Sequence, residues 1–93
     1  MGIRDRLIEI REEFKLKKDE MAAVLGMRPS TYRALENGYL VIQDKYVERI
    51  SNTLLVSSSW FKTGNGQMFD NEEIRENAFR KIKESKDKPL LDP

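Results

Sequence analysis

Neither histidine nor cysteine occurs in the 93 residues. That removes disulfide staples, thiolate and imidazole metal sites, and Cys–His or Ser–His–Asp catalysis. Carboxylates remain, but they are scattered over positions that read as solvated helix surface. No pair falls in an apolar setting that would raise a pKa for acid–base work. An enzyme is therefore the weakest reading, and no cofactor or metal is expected. The chemistry left is hydrogen bonding and charge, and one stretch gathers it. Between Lys18 and Asn37, helical spacing puts Ser30, Arg33, Ala34 and Asn37 on one side and Tyr32 and Leu35 on the other. Seventeen Lys+Arg against sixteen Asp+Glu leave a net charge of only +1. Any footprint on a polyanion must then be local. Residues 15–38 hold Lys15, Lys17, Lys18, Arg28 and Arg33 against Asp19, Glu20 and Glu36, a net of +2.

The elements that must position this face read as helices. A composition of 39% hydrophobic and 35% charged residues suits a small helix-rich domain, and the length allows one domain or one plus an appendage. Ile3, Leu7, Ile10 and Phe14 form an apolar stripe on a first helix, and Lys15-Leu16-Lys17 breaks it. A second helix runs from about Lys18 to Leu25. Asp19 and Glu20 sit in its first turn, where the helix dipole favours acids, and Gly26 stops it. Pro29 opens a third helix at its first position, and Asn37-Gly38 ends it. A fourth spans about Asp44 to Leu54 with Tyr46, Val47, Ile50 and Leu54 inward. Ser57 caps a short fifth that holds Trp60 and Phe61, and Thr63-Gly64-Asn65-Gly66 ends it. The segment from about Asn71 to Ser85 is amphipathic again, with Ile74, Ala78, Phe79 and Ile82 within roughly 140° of a helical wheel. Lys86 to Pro93 reads as a frayed tail. The chain is thus all-α, divided into residues 1–70 and a C-terminal helix and tail, 71–93. No apolar run approaches the ~18 residues of a membrane span, and the charged N-terminus lacks a signal-peptide core, so a cytoplasmic location is expected. Gly2 opens no myristoylation motif, because Arg6 stands where Ser or Thr is needed.

Lys18 to Asn37 is a short helix, a tight turn at Gly26-Met27-Arg28 and a second short helix, a helix-turn-helix. Its second helix turns small and hydrogen-bonding groups outward. A helix entering the DNA major groove must do this, since bulky apolar groups would hold it off the base edges. The sequence resembles the Cro/phage-repressor helix-turn-helix family, also called XRE. The matching residues are Ile10-Arg11-Glu12, Met21-Ala22, Val24-Leu25-Gly26-Met27, Ser30-Thr31 and Leu35-Glu36-Asn37-Gly38, with Ser57 to Gly64 similar to the family's aromatic-apolar ending. The ending Thr63 to Phe69 is similar to that of phage-like and mobile-element regulators. The resemblance covers residues 3 to 70. It implies a five-helix lambda-repressor-like domain, here with an additional C-terminal helix. It also implies sequence-specific binding of double-stranded DNA by a homodimeric transcriptional regulator, with about residues 29–37 as recognition helix. By position it implies base reading by Pro29, Ser30, Arg33 and Ala34. It implies phosphate contact by Lys18, Arg28, Thr31, Asn37 and Gly38, and a buried ion pair between Arg11 and Glu36.

Where the family often has Ser or Thr caps before helices two and three, this chain has Lys17 and Arg28. The exchange disfavours the free helix ends and favours a phosphate placed there, which adds Lys17 to the phosphate-contacting set; two solvated cations at imperfect caps are the plainer alternative. Ala34 and Pro29 offer no side-chain donor, so direct readout rests on Arg33 and Ser30, with Arg33 to guanine worth ~1–3 kcal/mol of discrimination. Tyr39 either lays its hydroxyl on a phosphate or is simply solvated. Leu40, Val41 and Ile42 either pack into the core or meet a protein partner. Leu55 stands where the family has Gly or Asn in a left-handed helix end, so the fourth helix is expected to end differently. Trp60, Phe61, Tyr32, Tyr46 and the methionines read as core. The arc Ile74, Ala78, Phe79 and Ile82 is too narrow for a buried helix and too apolar for a free one. Dimerisation through residues 71–85 is preferred over packing back on the domain. The basic run Arg80, Lys81, Lys83, Lys86 and Lys88 reads as a solvated face. The competing function is a protein-interaction module, such as an antitoxin or a modulator of another regulator.

Overall fold

The computed structural model describes residues 2–87. Six helices succeed one another: α1 (Ile3–Glu13), α2 (Lys18–Leu25), α3 (Pro29–Asn37), α4 (Asp44–Leu54), α5 (Ser58–Thr63) and α6 (Glu72–Asp87). No strand occurs among the described residues. The first five match the expected segments, and each junction has a physical cause. α1 buries Leu7 and Ile10, and Phe14 is buried just past its end. Lys15 then takes a left-handed conformation (φ 56°), which turns Leu16 back into the core instead of leaving it as a break in the stripe. The Leu16 amide donates to the Arg11 carbonyl at 3.2 Å. α2 ends at Gly26 (φ 69°), where the Met27 and Gly26 amides satisfy the carbonyls of Ala22 and Ala23. Pro29 is the first residue of α3, and Gly38 (φ 86°) ends it. Ser57 caps α5 by accepting from the Trp60 amide at 3.2 Å.

α4 ends as the family ending would have it, not otherwise: Leu55 itself adopts the left-handed conformation (φ 61°). A leucine there carries backbone strain. The next two residues offset that strain. Val56 is buried, its amide donates to the Ser51 carbonyl at 3.1 Å, and the Ser57 amide donates to the Met68 carbonyl at 2.8 Å.

The core is a single cluster built from Leu7 and Ile10 of α1, Met21, Ala22 and Leu25 of α2, Tyr32 and Leu35 of α3, Val47, Ile50 and Leu54 of α4, and Trp60 and Phe61 of α5. One buried residue of α1 is charged. Arg6 is buried and donates through Nε to the Phe61 carbonyl (2.7 Å) and through Nη2 to the Lys62 carbonyl (2.9 Å), so a cation satisfies carbonyls at the end of α5.

α6 belongs to the same core. Ala78 and Ile82 are buried in it, and Ile74 and Phe79 are packed against it. The Phe79 ring meets Phe14 at 4.6 Å between centroids, and Phe14 meets Phe69 edge-on at 5.9 Å. Arg75 pairs with Glu13 at 3.0 Å. The arc Ile74, Ala78, Phe79 and Ile82, expected at a dimer interface, is thus turned inward onto the chain's own α1 and its aromatic corner. The boundary at residue 70 marks no break in packing. α6 extends through Asp87; the rest of the tail, with Lys88, lies outside the described residues.

Candidate nucleic-acid interface

α3 is amphipathic, and its two faces have separate tasks. Tyr32, Leu35 and Glu36 are buried beneath it, while Pro29, Ser30, Arg33 and Asn37 are exposed and Ala34 and Thr31 are half-buried. Of the residues assigned to base reading, three therefore stand on the outer face in contact with solvent. Only Ser30 and Arg33 among the four carry side-chain donors.

The buried face is fixed by a polar network. Arg11 of α1 donates to Glu36 through Nε (2.7 Å) and Nη2 (3.3 Å) and through Nη1 to the Leu16 carbonyl (3.0 Å). The two side chains are 16% and 3% exposed, so the pair is largely removed from water. Tyr32 completes the network: its hydroxyl donates to the same Glu36 carboxylate. Burial, then the bond to Glu36, pushes the Tyr32 phenol well above its usual range, so it remains a neutral donor at physiological pH. The bond to Glu36 likewise raises the Arg11 guanidinium. The resemblance implied the Arg11–Glu36 pair. The Tyr32 hydroxyl was not foreseen in it, because position alone marked that ring as core.

Lys17 and Arg28 are the N-caps of α2 and α3, and neither side chain makes a cap hydrogen bond. The Lys17 amide is nonetheless satisfied: Glu20 reaches back to accept from it at 2.8 Å. Lys17 and Arg28 are exposed and Lys18 is half-buried. None of the three forms an ion pair among the described residues. Unpaired cations thus flank both helix N-termini, where amide groups and dipole already favour an anion.

Three cations missed in the sequence join this face. Lys45 and Arg49, one turn apart on α4, line a cleft of about 310 Å³ together with Arg28, Thr31 and Tyr46. Lys45 lies over the Tyr46 ring at 5.1 Å, and neither Lys45 nor Arg49 has an acidic partner among the described residues. Their spacing of i and i+4 was the available signal; their closeness to Arg28 is tertiary. Arg4 of α1 lies against Gly38, so that a β-carbon on Gly38 would collide with its guanidinium. It thereby brings a cation to the Asn37-Gly38 end of α3.

Arg33 is not free in the isolated chain. Its Nη2 donates to Asp19 Oδ1 on α2. The loop after Gly38 alternates: Tyr39 (87% exposed) and Val41 (72%) point out, while Leu40 and Ile42 pack against the core. Of the three aliphatics assigned to a protein partner, Val41 is exposed, and Leu40 and Ile42 are half-buried. No group of three or more carboxylates able to hold a metal ion occurs among the described residues, and none of the described helices is long and apolar enough to cross a membrane.

A family model described as helix-turn-helix matches residues 7–61, more than half of the chain. The match runs from the Leu7 position of α1 to Phe61 of α5, and so includes α2, α3 and the polar network beneath them. No curated protein and no solved structure matches the chain.

Proposed function

The chain belongs to the helix-turn-helix family, of the XRE type, and from that premise we propose that it is a sequence-specific transcriptional repressor of the phage or mobile-element kind. The observation that carries the proposal is the division of α3. Tyr32 and Glu36 anchor one face, and Ser30 and Arg33 stand exposed on the other between unpaired cations. α3 lies in the major groove. Arg33 reads a guanine by a bidentate bond, Ser30 adds a hydrogen bond, and Ala34 and Pro29 provide close approach with apolar contact only. Lys17, Lys18, Arg28, Thr31, Asn37, Gly38 and Tyr39 track the phosphates, and Lys45, Arg49 and Arg4 extend that track at both ends of α3. A face with two hydrogen-bonding readers discriminates little alone. Two copies on a two-fold operator would multiply it, so the working form is a homodimer. Its proposed place of action is the cytoplasm.

The second reading is a protein-interaction module, an antitoxin or a modulator of another regulator. Tyr39 and Val41 favour it, because two large side chains stand in solvent beside the recognition helix. The readings separate on one experiment. Duplexes enriched by the protein from a random pool are sequenced, for the wild type and for Arg33→Ala. The proposal expects a conserved motif that loses one guanine position in the variant, with about 10- to 100-fold weaker binding to the wild-type site. A pool that stays random in the wild type would transfer the function to the protein-partner reading.

A further inference from the structure

We infer that Asp19 is a positioning residue for Arg33, and that the α2 carboxylate sharpens the reading of guanine by α3; the inference rests on the proposed DNA-binding function. The pair joins the first turn of α2 to the outer face of α3, fourteen residues apart in sequence. Asp19 Oδ1 accepts from Nη2 of the guanidinium. Arginine carries five N–H donors in one plane. One Nη2 hydrogen is spent on Asp19; in the inferred arrangement it is the one on the Nε side, so the other Nη2 hydrogen and those of Nη1 remain as the outer fork that matches guanine O6 and N7. So placed, the carboxylate holds the planar group from one side and leaves the reading edge for a base.

Stability does not account for the pair. The side chains are 49% and 62% exposed, and a pair so accessible contributes little to folding. Nor does general DNA affinity, because an exposed carboxylate on this face repels phosphates. An acid here weakens binding to every sequence alike. What it provides is order in a long side chain. A free arginine must lose rotamer freedom when it docks on a base, and one already held loses less. The same hold makes a wrong base costlier. Arg33 would have to leave Asp19 to follow a displaced acceptor, and the carboxylate would then stand unpaired against the DNA.

The test measures dissociation constants of the full chain for its selected duplex, for that duplex with the Arg33-read G·C pair changed to A·T, and for scrambled DNA. The proteins are wild type, Asp19→Ala, Asp19→Asn, Arg33→Ala and the Asp19→Ala/Arg33→Ala pair. Thermal melting of each confirms folding. In Asp19→Ala, binding to scrambled DNA tightens, while the preference for G·C over A·T at that position falls by about 2- to 12-fold, the weight of immobilising one rotamer-rich side chain. Asp19→Asn retains part of the preference, since its amide oxygen still accepts from Nη2. In the Arg33→Ala background, Asp19→Ala changes no preference. If Asp19→Ala tightens binding to all three duplexes equally and keeps the G·C preference, Asp19 is only a local charge and the inference fails. If the wild type shows no preference among the duplexes, the DNA-binding reading and the inference built on it fail together.

Discussion

Glu36→Ala lowers the unfolding free energy by about 3–5 kcal/mol, the cost of removing one member of a buried, hydrogen-bonded ion pair. The midpoint of urea denaturation measures it. The magnitude comes from the groups left orphaned. Arg11 would keep only its bond to the Leu16 carbonyl, with its side chain 16% exposed. The Tyr32 hydroxyl, in a ring fully buried in the core, would lose the acceptor it uses. Burial and the lost bond raise the cost for each group separately. Glu36→Gln is milder, because its amide oxygen still accepts from Tyr32 while the charge is gone. Glu36→Ala within about 1 kcal/mol of the wild type would mean that water reaches the network and that the pair is effectively solvated. The result bears on function as well. This network ties α3 to α1, so loosening it should weaken DNA binding even though no outer-face residue has changed.

Ending the chain after Phe69 removes cooperative folding at 37 °C. The loss uncovers Phe14, which Phe79 otherwise covers, and deletes the buried Ala78 and Ile82. Losing a buried isoleucine to alanine alone costs about 2–5 kcal/mol, and the Phe79 packing and the Arg75–Glu13 pair go with it. A domain of this size has about 5–14 kcal/mol in total. Far-ultraviolet circular dichroism during a thermal melt reads the effect, and Ile82→Ala should show a fraction of it. A truncated chain that melts cooperatively within a few degrees of the full one would make α6 an appendage, and its apolar arc would again be available to a second copy.

That arc shows where sequence reasoning stops. Its residues and their helical spacing were legible, but not the surface they meet. Ile74, Ala78, Phe79 and Ile82 are covered by side chains such as Phe14, more than fifty positions away, and no local pattern encodes that encounter. Among the earlier helices, α2, α3 and α5 carry their own punctuation: Gly26, Pro29, Gly38 and Ser57 act through local backbone chemistry. The exceptions are the two places where a non-glycine residue does a glycine's task. Lys15 and Leu55 take left-handed conformations held by the burial of Leu16 and Val56, and propensity argues against both. The loop at residues 39–42 was readable only as apolar. Its alternation, with Leu40 and Ile42 packed on the core and Tyr39 and Val41 out, is set by tertiary packing. In the candidate interface, the outer face of α3 could be read from periodicity and the family pattern. Lys45, Arg49, Arg4 and the hold of Asp19 on Arg33 could not, since each depends on one helix lying beside another.

The outer face of α3 is proposed to recognise a particular DNA sequence. Fluorescence anisotropy tests this most directly, with the full chain titrated into duplex DNA from upstream of its own coding sequence and into a scrambled duplex, at about 50 and about 200 mM salt. The expected result is that both affinities fall steeply with salt, as counterion release from several phosphate contacts requires, and that a preference of at least about 10³-fold for the upstream duplex survives at the higher salt. Equal affinity for the two duplexes, abolished together at the higher salt, would contradict it.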